Sequence, residues 1–230
     1  MKLNVMKLKS PLLAIAFTGS LVLAACSGSP AGSSANDQPA SPSSNVAQSP
    51  MESMAGMNHG SMNMSLGPKD ESFDLRFIDG MTPHHEGAIV MAQEAFQKSQ
   101  RPEIKQLAQA VINAQQKEIA QMKEWRTAWY PGADATPMMY SSEMGHMMPM
   151  SEEMKSSMMM DMDLEGADDQ FDLRFINAMV PHHEGAVTMA KEALQNSDRP
   201  QIKELAQNII ASQQQEITQM QQWKKTWYGQ

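Results

Sequence analysis

The feature that most constrains the fold is an internal repeat. Residues 73–130 align without a gap to residues 171–228, and 36 of the 58 aligned pairs are identical. A repeat this similar is one structural unit used twice, and a unit too small to bury its own apolar face packs against its copy. We therefore expect two equivalent units that share one core.

Each unit has the pattern of two helices. Apolar residues recur every three or four positions from residue 73 and again from residue 104, which is the spacing of one helical face. Pro102 lies where a proline suits the first turn of a helix, and the short connection before it makes the two helices antiparallel neighbours. The sequence predicts an all-α fold, a four-helix bundle made of two helical hairpins (residues 71–130 and 171–230) joined by a Met-rich linker (residues 131–170).

A polar layer is predicted inside each hairpin. The first helix carries a methionine followed, one turn later, by two adjacent histidines. Folding the hairpin near residue 100 places these side chains opposite a glutamine, a glutamate and a second methionine, all on the face that should be core. The residues are Met81, His84, His85, Gln115, Glu118 and Met122 in the first unit, and Met179, His182, His183, Gln213, Glu216 and Met220 in the second.

We interpret each layer as a copper site. Thioether sulfur favours Cu(I) or its surrogate Ag(I), and imidazole binds copper in both oxidation states, whereas hard cations prefer oxygen. The methionines and histidines would be the ligands. The glutamates and glutamines would orient the histidine rings from behind. Met91 and Met189, on the same side of their helices as the histidines, are candidates to extend the sites. The equal alternative is that they only fill the core, since methionine packs irregular gaps well.

Two other interpretations of the layer stay open. It could be a purely structural hydrogen-bond network between histidine and glutamate that specifies the packing of the bundle. It could also belong to an electron-transfer or oxidase protein of the cell envelope, since His/Met ligation of haem occurs in four-helix bundles. Adjacent histidines on two helices fit haem poorly.

Two further segments combine methionine with a single histidine. Residues 51–64 and 138–163 alternate Met with Gly and Ser, and we expect them to be loose chains that wrap Cu(I) in thioethers. Their candidate ligands are Met54, Met57, His59, Met144, His146, Met147 and Met148. A sticky linker or a membrane-touching patch is the alternative. Residues around 151–164 have the pattern of a short helix laid over the bundle.

Composition and missing motifs narrow the function. Acidic residues outnumber basic ones by 26 to 18, which disfavours a nucleic-acid partner because phosphate binding requires a basic surface. The sequence also lacks a recognisable set of nucleophile, base and orienting residue. We therefore expect a metal-binding protein that is not an enzyme.

The motifs resemble a known family. "FDLRFI", "PHHEGA" and the later "RP.IK.LAQ", present in both halves over about residues 70–230, are similar to the domain of unknown function 305 family of CopM-like copper-binding proteins. The resemblance implies a ferritin-like four-helix bundle, export from the cytoplasm, and Cu(I) and Ag(I) binding in copper resistance. It matches the ligand positions at Met81, His84, His85 and Met122, and again at Met179, His182, His183 and Met220.

The N-terminus predicts export and lipid anchoring. Lysines precede an apolar stretch too short to span a membrane comfortably, and "LAAC" at residues 23–26 looks like a bacterial lipobox. Residues 1–25 are thus predicted to be a lipoprotein signal peptide, Cys26 the acylated residue, and residues 26–70 a flexible tether. An anchored protein in the periplasm would capture Cu(I) near the membrane and pass it to a copper efflux or sensor system.

The anchor prediction is tested by replacing the predicted lipidation site. Cys26→Ser removes the thiol that would carry the acyl chain, so the protein should move from the membrane fraction to the soluble fraction of the cell envelope. Fractionation followed by immunoblotting measures this. Unchanged recovery of the variant in the membrane fraction would contradict lipid anchoring.

Overall fold

The computed structural model describes residues 65–230, which contain five helices and one two-stranded sheet. Cys26 and the signal, tether and candidate-ligand residues before residue 65 lie outside this range. The elements are α1 (Phe73–Lys98), α2 (Pro102–Trp129), β1 (Met138–Ser141), β2 (His146–Pro149), α3 (Glu152–Met159), α4 (Phe171–Asn196) and α5 (Pro200–Tyr228). The prediction of an all-α bundle built from two helical hairpins is confirmed.

Each hairpin joins two long helices through a short connection. The α1–α2 and α4–α5 pairs pack along their lengths, and α1 also packs against α4. Pro102 and Pro200 begin α2 and α5, where the missing N–H costs no intrahelical bond. Pro83 and Pro181 lie within α1 and α4, which continue past them.

The core consists of two apolar clusters, and each cluster needs both repeats. One combines the N-terminal half of α1 and the C-terminal half of α2 with the C-terminal half of α4 and the N-terminal half of α5. The other combines the complementary halves. Neither hairpin could bury its apolar face alone, so the duplication creates the core. Representative members are Phe77, Ile119, Ala190 and Ile209 in the first cluster, and Ala92, Val111, Phe175 and Met220 in the second.

Equivalent ion pairs link the repeats. Arg101, in the connection of the first hairpin, lies 3.3 Å from Asp172 in the first turn of α4, and Arg199 lies 3.2 Å from Asp74 in the first turn of α1. Each arginine also covers the ring of a C-terminal tryptophan of the other hairpin, Trp227 or Trp129, as expected for a cation–π contact. These contacts fix the register between the hairpins.

Two equivalent arginines, the buried Arg76 and the partly buried Arg174, hold the segments that precede α1 and α4. Arg76 donates to the carbonyl oxygens of Leu66 and Pro68 and pairs with Asp70. Arg174 makes the equivalent bonds to residues 164, 166 and 168. Residues 66–70, which the sequence assigned to the tether, are therefore held against the bundle. The structural repeat therefore starts seven residues before the sequence repeat, at residues 66 and 164. Sequence identity does not reveal this extension, because residues 66–72 and 164–170 share only a leucine and an aspartate.

The prediction that residues 138–163 are loose is wrong. Strands β1 and β2 pair antiparallel, and α3 packs on α1 as the pattern at residues 151–164 predicted. The β-hairpin formed by β1 and β2 is attached to α1 through the buried Asp79. This carboxylate pairs with Arg126 at 2.6 Å and accepts a hydrogen bond from the N–H of Met138 at 2.8 Å. The second repeat has Asn177 and Lys224 at these positions, so the attachment is unique to the first repeat.

Helix α3 ends in close contact with α1. Gly87 faces the backbone of Met159 so closely that a Cβ at Gly87 would overlap the Met159 carbonyl oxygen. Gly80 lies seven residues earlier in α1. A Cβ there would meet only side chains, and the nearest atom would be Cδ2 of Leu66 at 3.5 Å. The second repeat has alanine, Ala178, at the position equivalent to Gly80. Only Gly87 is thus required by the position of α3.

These two glycines give a matched pair of variants. Gly80→Ala should leave stability unchanged or raise it by up to ~1 kcal/mol, since alanine is the better helix former and the space is sufficient. Gly87→Ala should lower stability and release α3 from α1. Urea unfolding measures stability, and limited proteolysis within residues 150–165 measures release. Equal behaviour of the two variants would contradict the packing of α3 described above.

Candidate metal centre

Four histidines meet where α1 crosses α4. His84, His85, His182 and His183 are each at most 1% exposed, and the ring centroids of His84 and His182 are 3.9 Å apart. The sequence placed these histidines in two separate sites, one inside each hairpin, and that arrangement is wrong. The hairpins pack with their first helices adjacent, so both histidine pairs belong to one cluster between the two apolar clusters.

The predicted glutamate partners are present. Nε2 of His85 lies 2.7 Å from Oε2 of Glu118, and Nε2 of His183 lies 2.7 Å from Oε2 of Glu216. Because a carboxylate only accepts hydrogen bonds, Nε2 of each ring carries the hydrogen. In the neutral form of each ring, the lone pair is then on Nδ1. This is the arrangement in which a carboxylate orients a metal-binding histidine.

The other two histidines differ from each other. Nε2 of His182 donates to the carbonyl oxygen of Met159, at 2.9 Å, which leaves the lone pair of His182 on Nδ1. His84, its counterpart in the first repeat, has no hydrogen-bond partner at either ring nitrogen. The cause is the single copy of α3: one helix end cannot serve both halves of a duplicated core. The sequence contained no signal for this contact.

Polar atoms without partners are concentrated in this cluster. Five of the eight ring nitrogens, both of His84 and Nδ1 of the other three histidines, are buried with no hydrogen-bond partner. Oε1 of Gln115 and of Gln213, both buried as predicted, also lacks one. Nearly all buried polar atoms in native proteins are hydrogen-bonded to protein or to ordered water, so these atoms are candidates to bind a ligand or water molecules.

Burial keeps the rings of His84 and His182 neutral. The pKa of His182 is lowered from 6.5 to about 3, mainly by burial and then by the neighbouring His183. The pKa of His84 is lowered well below its ordinary value, again mainly by burial and then by His182. A neutral imidazole is the form that binds a metal ion.

Buried methionines flank the histidines on both sides. Met81 and Met122 share one apolar cluster with Met189, and Met179 and Met220 share the other with Met91; all six are fully buried. Met91 and Met189, which the sequence offered either as additions to the sites of their own repeats or as core residues, each belong to the apolar cluster that holds the methionine pair of the other repeat. The antiparallel crossing of α1 and α4 produces this exchange.

The remaining candidate ligands lie elsewhere. Met147 and Met148 are partly buried in β2, while His146 and Met144 are exposed. None of them belongs to the buried histidine cluster. Met54, Met57 and His59 fall outside the described residues.

Nitrogen and carboxylate donors alone do not form a site. Within residues 65–230, no three side chains among His, Cys, Asp and Glu are arranged to hold a metal ion. That range also contains no helix long and apolar enough to cross a membrane.

Sequence comparison places the protein in a family. The model of the family described as "Domain of unknown function (DUF305)" matches residues 27–126 and 74–224, two overlapping stretches that cover most of the chain. The chain belongs to the DUF305 family. This DUF305 protein is also 47% identical, over 49 residues, to an uncharacterized protein of Acanthamoeba polyphaga mimivirus. The match spans about a third (32%) of that curated relative.

Solved structures of CopM share the fold. CopM in the Cu(II)-bound form is 41% identical, with a TM-score of 0.54, and the match covers 67% of this chain and 97% of CopM. The Cu(I)-bound form has 38% identity and a TM-score of 0.52 over 67% of this chain and 97% of CopM. The Ag-bound form obtained by soaking has 37% identity and a TM-score of 0.53 over the same shares.

The lowered histidine pKa predicts how stability depends on pH. Below about pH 6.5 the unfolded chain binds a proton at His182 that the folded protein excludes until about pH 3. Unfolding therefore takes up a proton, and the free energy of unfolding should fall with decreasing pH by up to about 1.4 kcal/mol per pH unit for this histidine. Urea unfolding of chelator-treated protein between pH 6 and 5 measures the slope. His182→Gln should reduce it by about one proton, and an unchanged slope would show that His182 is charged in the folded protein.

Proposed function

We propose that this protein sequesters Cu(I), and Ag(I) in its place, at the histidine cluster between its two repeats. The observation that carries the proposal is the set of five buried ring nitrogens without partners, located between two groups of buried methionines. The ligands would come from His84, His85, His182 and His183, together with the thioethers of Met81, Met122, Met179 and Met220.

The donor types favour a soft monovalent ion. Hard divalent cations prefer oxygen ligands, whereas the proposed ligands are thioether sulfur and imidazole nitrogen. The absence of a group of three His, Cys, Asp or Glu ligands in residues 65–230 supports the same choice. Because burial lowers the pKa of His84 and His182, an incoming ion would not have to displace a proton at neutral or mildly acidic pH.

The similarity to CopM supports copper in particular. CopM has been described in Cu(I)-, Cu(II)- and Ag-bound forms, and this chain covers nearly all of CopM. We transfer that property to this protein as part of the proposal. A centre with both imidazole and thioether ligands suits the three ions found on CopM, since imidazole binds both oxidation states of copper.

The protein's own residues have separate tasks in this proposal. Glu118 and Glu216 fix the rings of His85 and His183 so that Nδ1 is available. The carbonyl oxygen of Met159 does the same for His182, and α3 covers the cluster and limits access of water. We propose no catalysis. An exported, lipid-anchored protein would use the site to lower free Cu(I) and to supply a copper efflux or sensor system.

Metal titration tests the proposal. Anaerobic competition with a Cu(I) chelator should show tight binding of Cu(I) and Ag(I), no comparable binding of Mg(II), and little change of Cu(I) affinity between pH 7 and 5. The double variant His84→Gln and His182→Gln should lose the tight equivalent. Met144→Leu, which removes an exposed methionine outside the cluster, is the matched control and should retain it. Retention of every tight equivalent by the double variant would refute a histidine-cluster site.

The orienting role of the glutamates is tested separately. Glu118→Gln preserves size but loses the charge that fixes the His85 tautomer, and loss of such a partner typically lowers metal affinity about 10–100-fold. The same competition assay measures the change. Glu86→Gln, which alters a partly exposed carboxylate paired with Lys123, should leave affinity unchanged. Equal affinities for the two variants would exclude a role for Glu118 at the site.

A further inference from the structure

The two faces of the β-hairpin carry different residues. The register pairs Met138 with Pro149, Met139 with Met148, Tyr140 with Met147 and Ser141 with His146. Side chains alternate between the faces along a strand. One face therefore carries Tyr140 and Met147 with the 138–149 pair, and the opposite face carries Met139 and Met148 with the 141–146 pair.

The position of Tyr140 shows which face is turned toward the bundle. Its ring lies under the guanidinium of Arg76, 5.5 Å from the centroid, and it packs so closely on Gly67 that a Cβ there would overlap it. Arg76 belongs to the buried part of α1. We call the face with Tyr140 and Met147, which contacts Gly67 and Arg76, the inner face. The opposite, outer face carries Met139 and Met148, which are partly buried, and the exposed His146.

The outer face brings together three soft donors. Met139 and Met148 are direct cross-strand partners, whose Cβ atoms are typically about 4.5–5.5 Å apart. His146 lies two residues before Met148 on the same face, and it is exposed. Its Nδ1 lies 3.1 Å from the carbonyl oxygen of Met144, so Nδ1 donates and Nε2 keeps the lone pair. Long methionine side chains from opposed positions can reach one point above the sheet together with that nitrogen.

The hairpin is held firmly at its base. Asp79 accepts a bond from the N–H of Met138, the N–H of Met150 donates to the carbonyl oxygen of Pro137 at 2.7 Å, and Met150 is buried. At the other end, Gly145 adopts a φ of +71°, which a glycine accepts without strain. A scaffold of this kind lowers the entropy that the donors lose on binding an ion.

We propose that Met139, Met148 and His146 form a second, solvent-accessible site for soft monovalent metal ions, with two thioether ligands and one imidazole ligand. This site deepens the proposed function, because it would capture the same class of ion at the surface while the histidine cluster holds it in the interior. It shares no residue with the histidine cluster. Of the hairpin residues that the sequence suggested as ligands, Met147 is excluded by its inner position, and Met139 takes its place.

The test is an Ag(I) titration of the full mature chain with isotope-labelled methionine methyl groups, observed by NMR. The methyl resonances of Met139 and Met148 should shift together over one equivalent, whereas those of Met138 and Met147 should not follow them. Shifts at Met81 and Met179 report the histidine cluster independently. Failure of one site is therefore distinguishable from failure of the other.

Variants of the two faces provide the matched control. Met139→Leu with Met148→Leu should remove one equivalent of bound Ag(I), and Met138→Leu with Met147→Leu should remove none. His146→Ala should weaken the same equivalent without affecting the methyl shifts of Met81. An outer-face variant that keeps every equivalent, or methyl shifts confined to the inner face, would overturn the proposal.

Discussion

The contact between His84 and His182, where α1 crosses α4, is the constraint on which the rest of the structure depends. It sets the crossing point of the hairpins, and from there the two apolar clusters extend in opposite directions. Burying four imidazoles has a cost, since a buried polar atom left without a partner typically destabilises a protein by about 1–3 kcal/mol. The cluster has five such nitrogens. A metal ion bound by some of them would reduce this penalty and stabilise the folded protein by mass action.

The duplicated core is nearly symmetric, but the β-hairpin and α3, which pack on it, occur once. Asp79 and Arg126 of the first repeat hold the β-hairpin, and Gly87 admits the end of α3. The second repeat has Asn177 and Lys224 in place of that ion pair, so it cannot attach an equivalent segment. As a result His182 has a backbone partner and His84 has none. The asymmetry makes His84 the histidine with the most freedom to bind an ion.

Much of the bundle was predictable because its signals are local and occur twice. The helical spacing, the initial prolines and the repeat itself gave the hairpins, and the distance along the hairpin correctly placed Glu118 opposite His85 and Glu216 opposite His183. Helical periodicity within one hairpin cannot show how two hairpins cross. For that reason the sequence-based prediction put His84 and His182 in separate sites, and it grouped Met91 and Met189 with the methionines of their own repeats.

The central segment was predicted less well for a different reason. Alternating Met, Gly and Ser has weak intrinsic preference for any structure, and what orders residues 138–150 is a distant carboxylate, Asp79, acting on the N–H of Met138. The short helix had a local signal, since Ser151 accepts a bond from the N–H of Met154 as an N-cap. The close contact between the end of α3 and Gly87 had no local sequence signal.

The central claim is that histidines of both repeats bind one ion. The most direct test is NMR of the Ag(I)-loaded protein containing isotope-labelled histidine, because a silver nucleus splits the resonance of a ring nitrogen bonded to it. At one equivalent of Ag(I), a ring nitrogen of His84 and one of His182 should both show the splitting. Splitting confined to the histidines of one repeat, or absent from all four buried histidines, would contradict a shared centre.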